Sequence, residues 1–530
     1  MEEFMQHLKE TINDYENNSL VETENGALEY KSSGSKLVDL NYAVSSLHGA
    51  EPQEICDLFD AAYAEDPKYA VLWLFYASDI REGLGERRLF RILFKHLCRL
   101  DLQYVDWLIP LVPIYSRWDN LWCLMDNDVP DPIHREVVYF VTQQLDRDMV
   151  HMQKHENVSL LAKWMPSNNT SSRRSRELAL KFEVAFGITS REYRKMLSAL
   201  RRYLDIVEIH ASKNDWEGID YNKVPSRANL MYRNAFVKHD EARYNEYISQ
   251  VSEGKAKING SVNFPHDIVH QYRRDIWQIS MDNALEALWK ALPDYVTGGP
   301  STLVVADSSG SMLDTISNTG VKAMEVAFAL GIYFAERLSG PYHNKMITFS
   351  ENPKYIDLPG TSLFDNLTTL YCQCEMANTN IEKTMALILK TAVENNLTQD
   401  QLPRNILILS DMEFDSMADI DDEDEYLWDC SKDRSAKRKS SFDKIVEKFK
   451  EYGYKMPKIT FWNLNSRTLG IPLKENELGV NLVSGFSPAV VKLVLTEKSD
   501  PYEALKEILD SDRYKPVVEA HVYPHHIDFK

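Results

Sequence analysis

Residues 301–312 read STLVVADSSGSM, and residues 405–415 read NILILSDMEFD. Each is a short β-type run of apolar residues that stops at an aspartate, Asp307 in the first and Asp411 in the second. After Asp307, the hydroxyls of Ser309 and Ser311 lie on a loop that Gly310 allows to turn tightly back on itself. One carboxylate and two hydroxyls then converge, and a second carboxylate is expected beside them above a neighbouring strand end. Close carboxylates require a cation, and hard oxygen donors of this kind suit Mg²⁺. Thr379, at the start of a helical stretch in MANTNIEKT, offers a further hydroxyl. Asp-x-Ser-x-Ser alone also describes an ordinary turn and helix cap. The three pieces in this order are what single it out.

Outward from these two stretches, β-type runs recur at 345–350, 458–463 and 480–483, with helical stretches over about 320–338, 379–394 and 441–452. Strands that alternate with helices predict a mainly parallel, doubly wound α/β sheet, which takes ligands at the carboxyl ends of its strands. Upstream, from about Glu51 to about Pro293, apolar residues return at three and four, as in Leu89, Ile92, Leu93 and Leu97. This pattern predicts stacked helical hairpins, a HEAT-like repeat module, although no fixed period is evident. The expected organisation is multidomain: an N-terminal extension over 1–50, an α-helical module over 51–296, an α/β domain over 297–496 and a C-terminal tail over 497–530.

Asp307, Ser309, Ser311, Thr379 and Asp411 fill a pattern that resembles the metal-ion-dependent adhesion site of von Willebrand factor A domains. Where many of that family follow the Thr with an Asp, this chain has Asn380. The resemblance implies a bound Mg²⁺ (or Mn²⁺) whose open position is completed by a protein ligand presenting Asp or Glu. It thus implies an adhesion device and no enzyme. The helical strings FYASDIREGLGERRLFRILF (75–94), VPIYSRWDNLW (112–122) and LLAKWMPSNNTSS (160–172) resemble an uncharacterised domain-of-unknown-function family, itself similar to TROVE proteins, which include the Ro ribonucleoproteins. That likeness implies structured non-coding RNA as a partner.

Composition bears on both partners. The 530 residues are 44% hydrophobic and carry a formal charge of −20, so nucleic acid or an anionic membrane must be met by a local basic patch. Residues 160–260 supply one, with 18 Lys and Arg against 12 Asp and Glu. The candidate RNA-binding residues within it are Arg173, Arg174, Arg176, Arg191, Arg194, Lys195, Arg201 and Arg202, with Tyr193 and Tyr203 as stacking surfaces. A charge run is commonly a solvated face, and on that view the patch is incidental and the protein is a metal-dependent assembly module without RNA. Six scattered cysteines, no signal-like start and no apolar run of about 20 residues predict a soluble, cytoplasmic protein without a membrane partner. His266 and His270 lie one helical turn apart with no third ligand in view, and the acidic run 419–425 is expected as a solvated insertion.

Overall fold

A computed structural model describes residues 20–23, 25–272, 280–296, 301–349, 351–376, 380–414, 441–474, 478–496 and 498–522. Strands β1 (Leu20–Glu22) and β2 (Leu28–Tyr30) pair antiparallel and lead into helix α1 (Lys36–Tyr42). The helical region follows with α2 (Pro52–Glu65), α3 (Pro67–Ser78), α4 (Arg87–Leu100), α5 (Leu102–Leu108), α6 (Asp131–Gln153), α7 (Arg173–Phe186), α8 (Ser190–Tyr203), α9 (Ser226–Ser252) and α10 (Pro265–Tyr272), joined by shorter turns.

Helix α3 shows why the module packs as it does. Asp66 caps it by accepting from the Tyr69 N–H, Pro67 pre-sets its first turn, and every residue from Ala70 to Ser78 is buried. A helix apolar all round belongs in the middle of a bundle. Phe75 meets Phe90, Phe94 and Tyr115 edge-on, with ring centroids 5.7, 6.2 and 5.4 Å away. The turn after α3 needs its glycines, because a Cβ on Gly83 would strike the Tyr76 carbonyl and Gly85 sits at φ +74°.

The second region is a mixed sheet of six strands: β3 (Thr302–Asp307), β4 (Lys345–Phe349), β5 (Lys354–Asp357), β6 (Asn405–Ser410), β7 (Lys458–Asn463) and β8 (Val480–Ser484). Their order is β5-β4-β3-β6-β7-β8, parallel except for the antiparallel edge strand β5. Strand β5 escapes the sequence pattern because of its four residues only Ile356 is buried. Helix α11 (Ala323–Arg337) covers one face, which Leu407 and Leu409 share with the helical module in one continuous apolar core. Ile406 and Ile408 alternate onto the other face, against Ile381–Glu394 and α12 (Ser441–Glu451). The chain leaves β3 toward β4 and then returns to β6 on β3's other side, so the strand order reverses between β3 and β6. Such a switch point opens a crevice at the carboxyl ends.

The N-terminal segment and the C-terminal tail are both built into this core. Leu37, Leu40 and Val44 are buried, Thr23 donates to the Phe414 carbonyl at 2.8 Å, and Tyr30 and Ile471 exchange backbone hydrogen bonds. Three-residue strands carry too short a pattern to be read from sequence. At the other end, α13 (Pro501–Leu509) and α14 (Lys515–Val522) lie against the helical module. Tyr104 and Tyr115 donate to the carbonyls of Val517 and Arg513, at 3.2 and 2.7 Å. Asp79, fully buried, receives Arg513 through Nε at 2.7 Å and Nη2 at 2.9 Å. No helix among the described residues is long and apolar enough to cross a membrane.

Removing one member of a buried ion pair strands the other charge, at a cost of about 3–5 kcal/mol. Arg513→Ala should therefore destabilise the protein by about that much, and Arg513→Lys, which cannot reproduce the bidentate fork, should recover only part. Urea unfolding of the two variants measures both effects.

Candidate metal centre

Asp307 ends β3 and Asp411 follows β6, so both carboxylates stand at the switch point. The surroundings of Asp307 are not those of an exposed strand end. It is fully buried, and its oxygens accept the Ser309 N–H at 2.8 Å and the Ser410 hydroxyl at 2.6 Å. Ser410 in turn accepts the Met412 N–H at 2.9 Å. This bridging role escaped the sequence reading, although the parallel register, in which Ala306 faces Leu409, sets Ser410 level with Asp307. Met412 takes φ +64° and is completely buried, an uncommon backbone for a bulky side chain, directly after the candidate ligand.

The loop after Asp307 turns back as expected. The hydroxyls of Ser309 and Ser311 are 3.1 Å apart, and Ser311 bonds to Asp411. Ser308 ties this loop to the next one, since its hydroxyl lies 2.8 Å from the Glu375 carbonyl oxygen. Burial, and then the charge of Asp307, push the Asp411 carboxyl up to about 7. Two carboxylates that repel each other, Asp307 and Asp411, thus share one crevice with the hydroxyls of Ser309 and Ser311, a donor set that fits a hard divalent cation. Thr379 lies outside the described residues, as does the acidic run 419–425. Asn380 caps the following helix by accepting the Lys383 N–H at 2.9 Å. Among the described residues no three His, Cys, Asp or Glu side chains converge as metal ligands, so a cation here would rely on hydroxyl oxygens beside its two carboxylates.

A second acidic pair lies behind the crevice. Glu413 accepts the Arg467 N–H at 2.8 Å, and Glu29, on β2, accepts the Thr468 hydroxyl at 3.3 Å. Burial and the nearby Glu413 raise the Glu29 carboxyl to about 8, and the buried Tyr42 hydroxyl beside it has no hydrogen-bond partner among the described residues. None of this is legible in sequence, because Glu29 and Glu413 meet only when the N-terminal hairpin docks.

The candidate RNA-binding residues divide into two sets. Arg191, Arg194, Lys195 and Arg202 are exposed along α8, and none makes a hydrogen bond or ion pair with another described residue. The others are engaged: Arg173 pairs with Glu177, Arg174 with Asp126, and Arg176 donates to the carbonyls of Thr170 and Ser171. Arg201 is a structural clamp, donating to the carbonyls of Ala162 and Met165 at 2.8 Å each and to the Ser167 hydroxyl at 3.1 Å. Tyr193 offers no stacking surface, because it is fully buried with its hydroxyl on the Pro166 carbonyl. Its place in the i, i+4, i+7 row with Leu197 and Leu200 is the signal that marks it as core. Tyr203 remains partly exposed and donates to the Glu156 carbonyl. His270 bonds Glu325 at 2.8 Å, across the junction between α10 and α11.

The buried Glu29 carries a pH dependence whose sign follows from its raised value. Its folded-state pKa of about 8 lies above that of the unfolded chain, so the native state holds the proton more tightly. Its contribution is fully present below the unfolded pKa and is lost as pH rises through about 8. Stability should therefore fall between about pH 5 and pH 8 by roughly 2–5 kcal/mol. Glu29→Gln should remove the share of that slope belonging to Glu29, including the part above about pH 7, and leave the share of Asp411, whose carboxyl is raised to about 7, with stability at low pH little changed, as measured by denaturant unfolding across pH.

Comparison with known proteins places the two regions separately. Residues 301–525 match a domain of unknown function, DUF7788, and residues 173–296 match another, DUF2828. The crystal structure of the Deinococcus radiodurans RO (RSR) protein aligns over 87% of this chain and 92% of that one, at 12% identity and a TM-score of 0.36. The uncharacterized protein L728 of Acanthamoeba polyphaga mimivirus is 30% identical over 534 aligned positions, covering 93% of this chain and 88% of the viral protein. With that identity across nearly the whole of both, the chain belongs to the family that includes the uncharacterized protein L728.

Proposed function

We propose that this is a non-enzymatic, two-module binding protein whose α/β domain is of the von Willebrand factor A type and holds one Mg²⁺ or Mn²⁺ per chain. The observation that carries the reading is the buried pair Asp307 and Asp411, set at the switch point with Ser309 and Ser311 in contact range. Thr379 is the fifth residue assigned to the site. A bound divalent cation would offset the repulsion between the two carboxylates and offer a position to an Asp or Glu of a protein ligand. Ser410 keeps Asp307 oriented by donating to it, and Ser311 does the same for Asp411.

Binding to the native state alone must raise stability, by about 2.7 kcal/mol at a ligand concentration a hundredfold above Kd. Mg²⁺ or Mn²⁺ should bind once per chain by calorimetry and raise the melting temperature. Asp411→Asn is the informative variant, because it removes one of two like charges. Without divalent cation it should melt no lower than the parent, and with cation it should show no shift. A full cation response in that variant would remove Asp411 from the site.

A second reading is favoured by α8. Four exposed cations that make no hydrogen bond or ion pair with another described residue, along about three helical turns of an acidic chain, suit the phosphates of RNA. Each phosphate neutralised contributes about −0.7 to −0.9 to the slope of log affinity against log salt, so four contacts give a slope of roughly −3. Replacing Arg194, Lys195 and Arg202 with Glu should weaken binding to structured RNA and flatten the slope by about two units. Asp307→Asn should leave both unchanged. Equal affinity and slope in the triple variant would assign the face to solvent.

A further inference from the structure

A groove of about 570 Å³ runs along the outer side of the helical module, between the segment that follows α5 and helix α6. Its floor is aromatic: Trp118 stacks on Phe140 with centroids 5.5 Å apart and planes 18° apart. Pro110 and Pro113 line one wall, and Tyr139, 62% exposed, stands on the other. Asp106 and Glu136 both line this groove. Neither has a hydrogen bond or ion pair with another described residue, and the Asp106 carboxyl is held above its ordinary range first by burial and then by the charge of Glu136. Arg147, also in the lining and likewise without a described partner, lies eleven residues beyond Glu136 on α6, about 16 Å along the helix axis.

We infer that this groove binds an extended, proline-containing segment of a partner protein, with a Lys or Arg of that segment seated at Asp106 and Glu136. Aromatic and proline rings that present flat apolar surfaces suit a polyproline-type helix, whose backbone needs no ladder of hydrogen bonds from the site. At about 3.1 Å per residue, the 16 Å from Glu136 to Arg147 accommodates about five residues. The carboxylates of Asp106 and Glu136 supply the charge complementarity that fixes which end carries the cation. The same pair disfavours a nucleic acid, since phosphates brought to Tyr139 would meet two negative charges before reaching Arg147.

The test uses the full chain and an arrayed library of proline-containing heptapeptides with Arg, Glu or Ala fixed at each end in turn, followed by fluorescence anisotropy on the peptides retained. Peptides with a terminal Arg should be selected. Their affinity should fall about tenfold on Asp106→Asn or Glu136→Gln, which keep an acceptor oxygen and remove only the charge, a loss of about 1.4 kcal/mol. It should fall further on Tyr139→Ala, and Glu136→Arg should invert the preference toward a terminal Glu. Asp106 is partly exposed, and Glu136 and Tyr139 are exposed, so these variants fold, which circular dichroism checks. Retention of no peptide above the Ala-fixed background overturns the proposal. So does selection that Glu136→Arg leaves unchanged. Binding of a labelled oligouridylate that Tyr139→Ala weakens, with no peptide selected, overturns it in favour of nucleic acid.

Discussion

Asp79 sits at the end of α3 with no solvent around it, and four donors converge on its carboxylate: Arg513 twice, the Tyr514 hydroxyl and the Arg81 N–H. Its backbone carbonyl is committed as well, accepting the N–H groups of Gly83 and Gly85. A buried carboxylate is tolerable only when its charge and its lone pairs are both satisfied. Here the satisfaction comes from the far end of the chain. The ring of Tyr514 stacks on Tyr115 at 5.6 Å, so the polar clasp is sheathed in aromatic surface that keeps water from competing for it. The C-terminal helices are thus held on the helical region by this ion pair, alongside those of Lys68 with Asp510 and Glu82 with Lys492, while the hairpin β1–β2 docks on the α/β region at Phe414 and Ile471.

That arrangement explains why the candidate centre is rigid where it needs to be. The crevice lies between β3 and β6, whose inner residues Val304, Ala306, Leu407 and Leu409 belong to the same core as α3 and α4. Asp307 cannot swing away without breaking bonds from Ser309 and Ser410, and the buried Met412 at φ +64° fixes the exit of the Asp411 loop. Two carboxylates that repel each other are kept together by packing that is paid for elsewhere in the fold. The same logic holds one layer out, where Glu29 and Glu413 are pressed together by the docking of the hairpin.

Much of the α/β region could be read from residue order. The runs ending at Asp307 and Asp411 are strands, and β6 and β7 have the expected limits, because an apolar run between turn residues has few other outcomes. The side-by-side placement of the two carboxylates was likewise implied by the paired motifs. Sequence could not show the depth of Asp307, because burial comes from the loops packed over the strand end and not from the strand. It overstated the basic patch, because the geometry that engages Arg201 with three oxygens is tertiary. It gave the N-terminal hairpin and the last two helices too little weight. Their apolar residues are few and short in period, and their partners lie far away along the chain.

The clasp at Asp79 also has a bearing on biosynthesis. Its Arg513 partner is 434 residues downstream. At ribosomal rates of about 5–20 residues per second, roughly 20–90 s separate the synthesis of that carboxylate from that of its partner. During the same interval, the hairpin near residue 20 has no Ile471 to pair with. Native topology is therefore reachable only once Arg513 has been made, through contacts of very high order. Until Tyr514 has been made, the nascent chain lacks the ring that stacks on Tyr115. Termination after the sheet but before Arg513 would leave a polypeptide with Asp79 uncompensated and the Tyr115 ring uncovered, and so a substrate for chaperones or degradation.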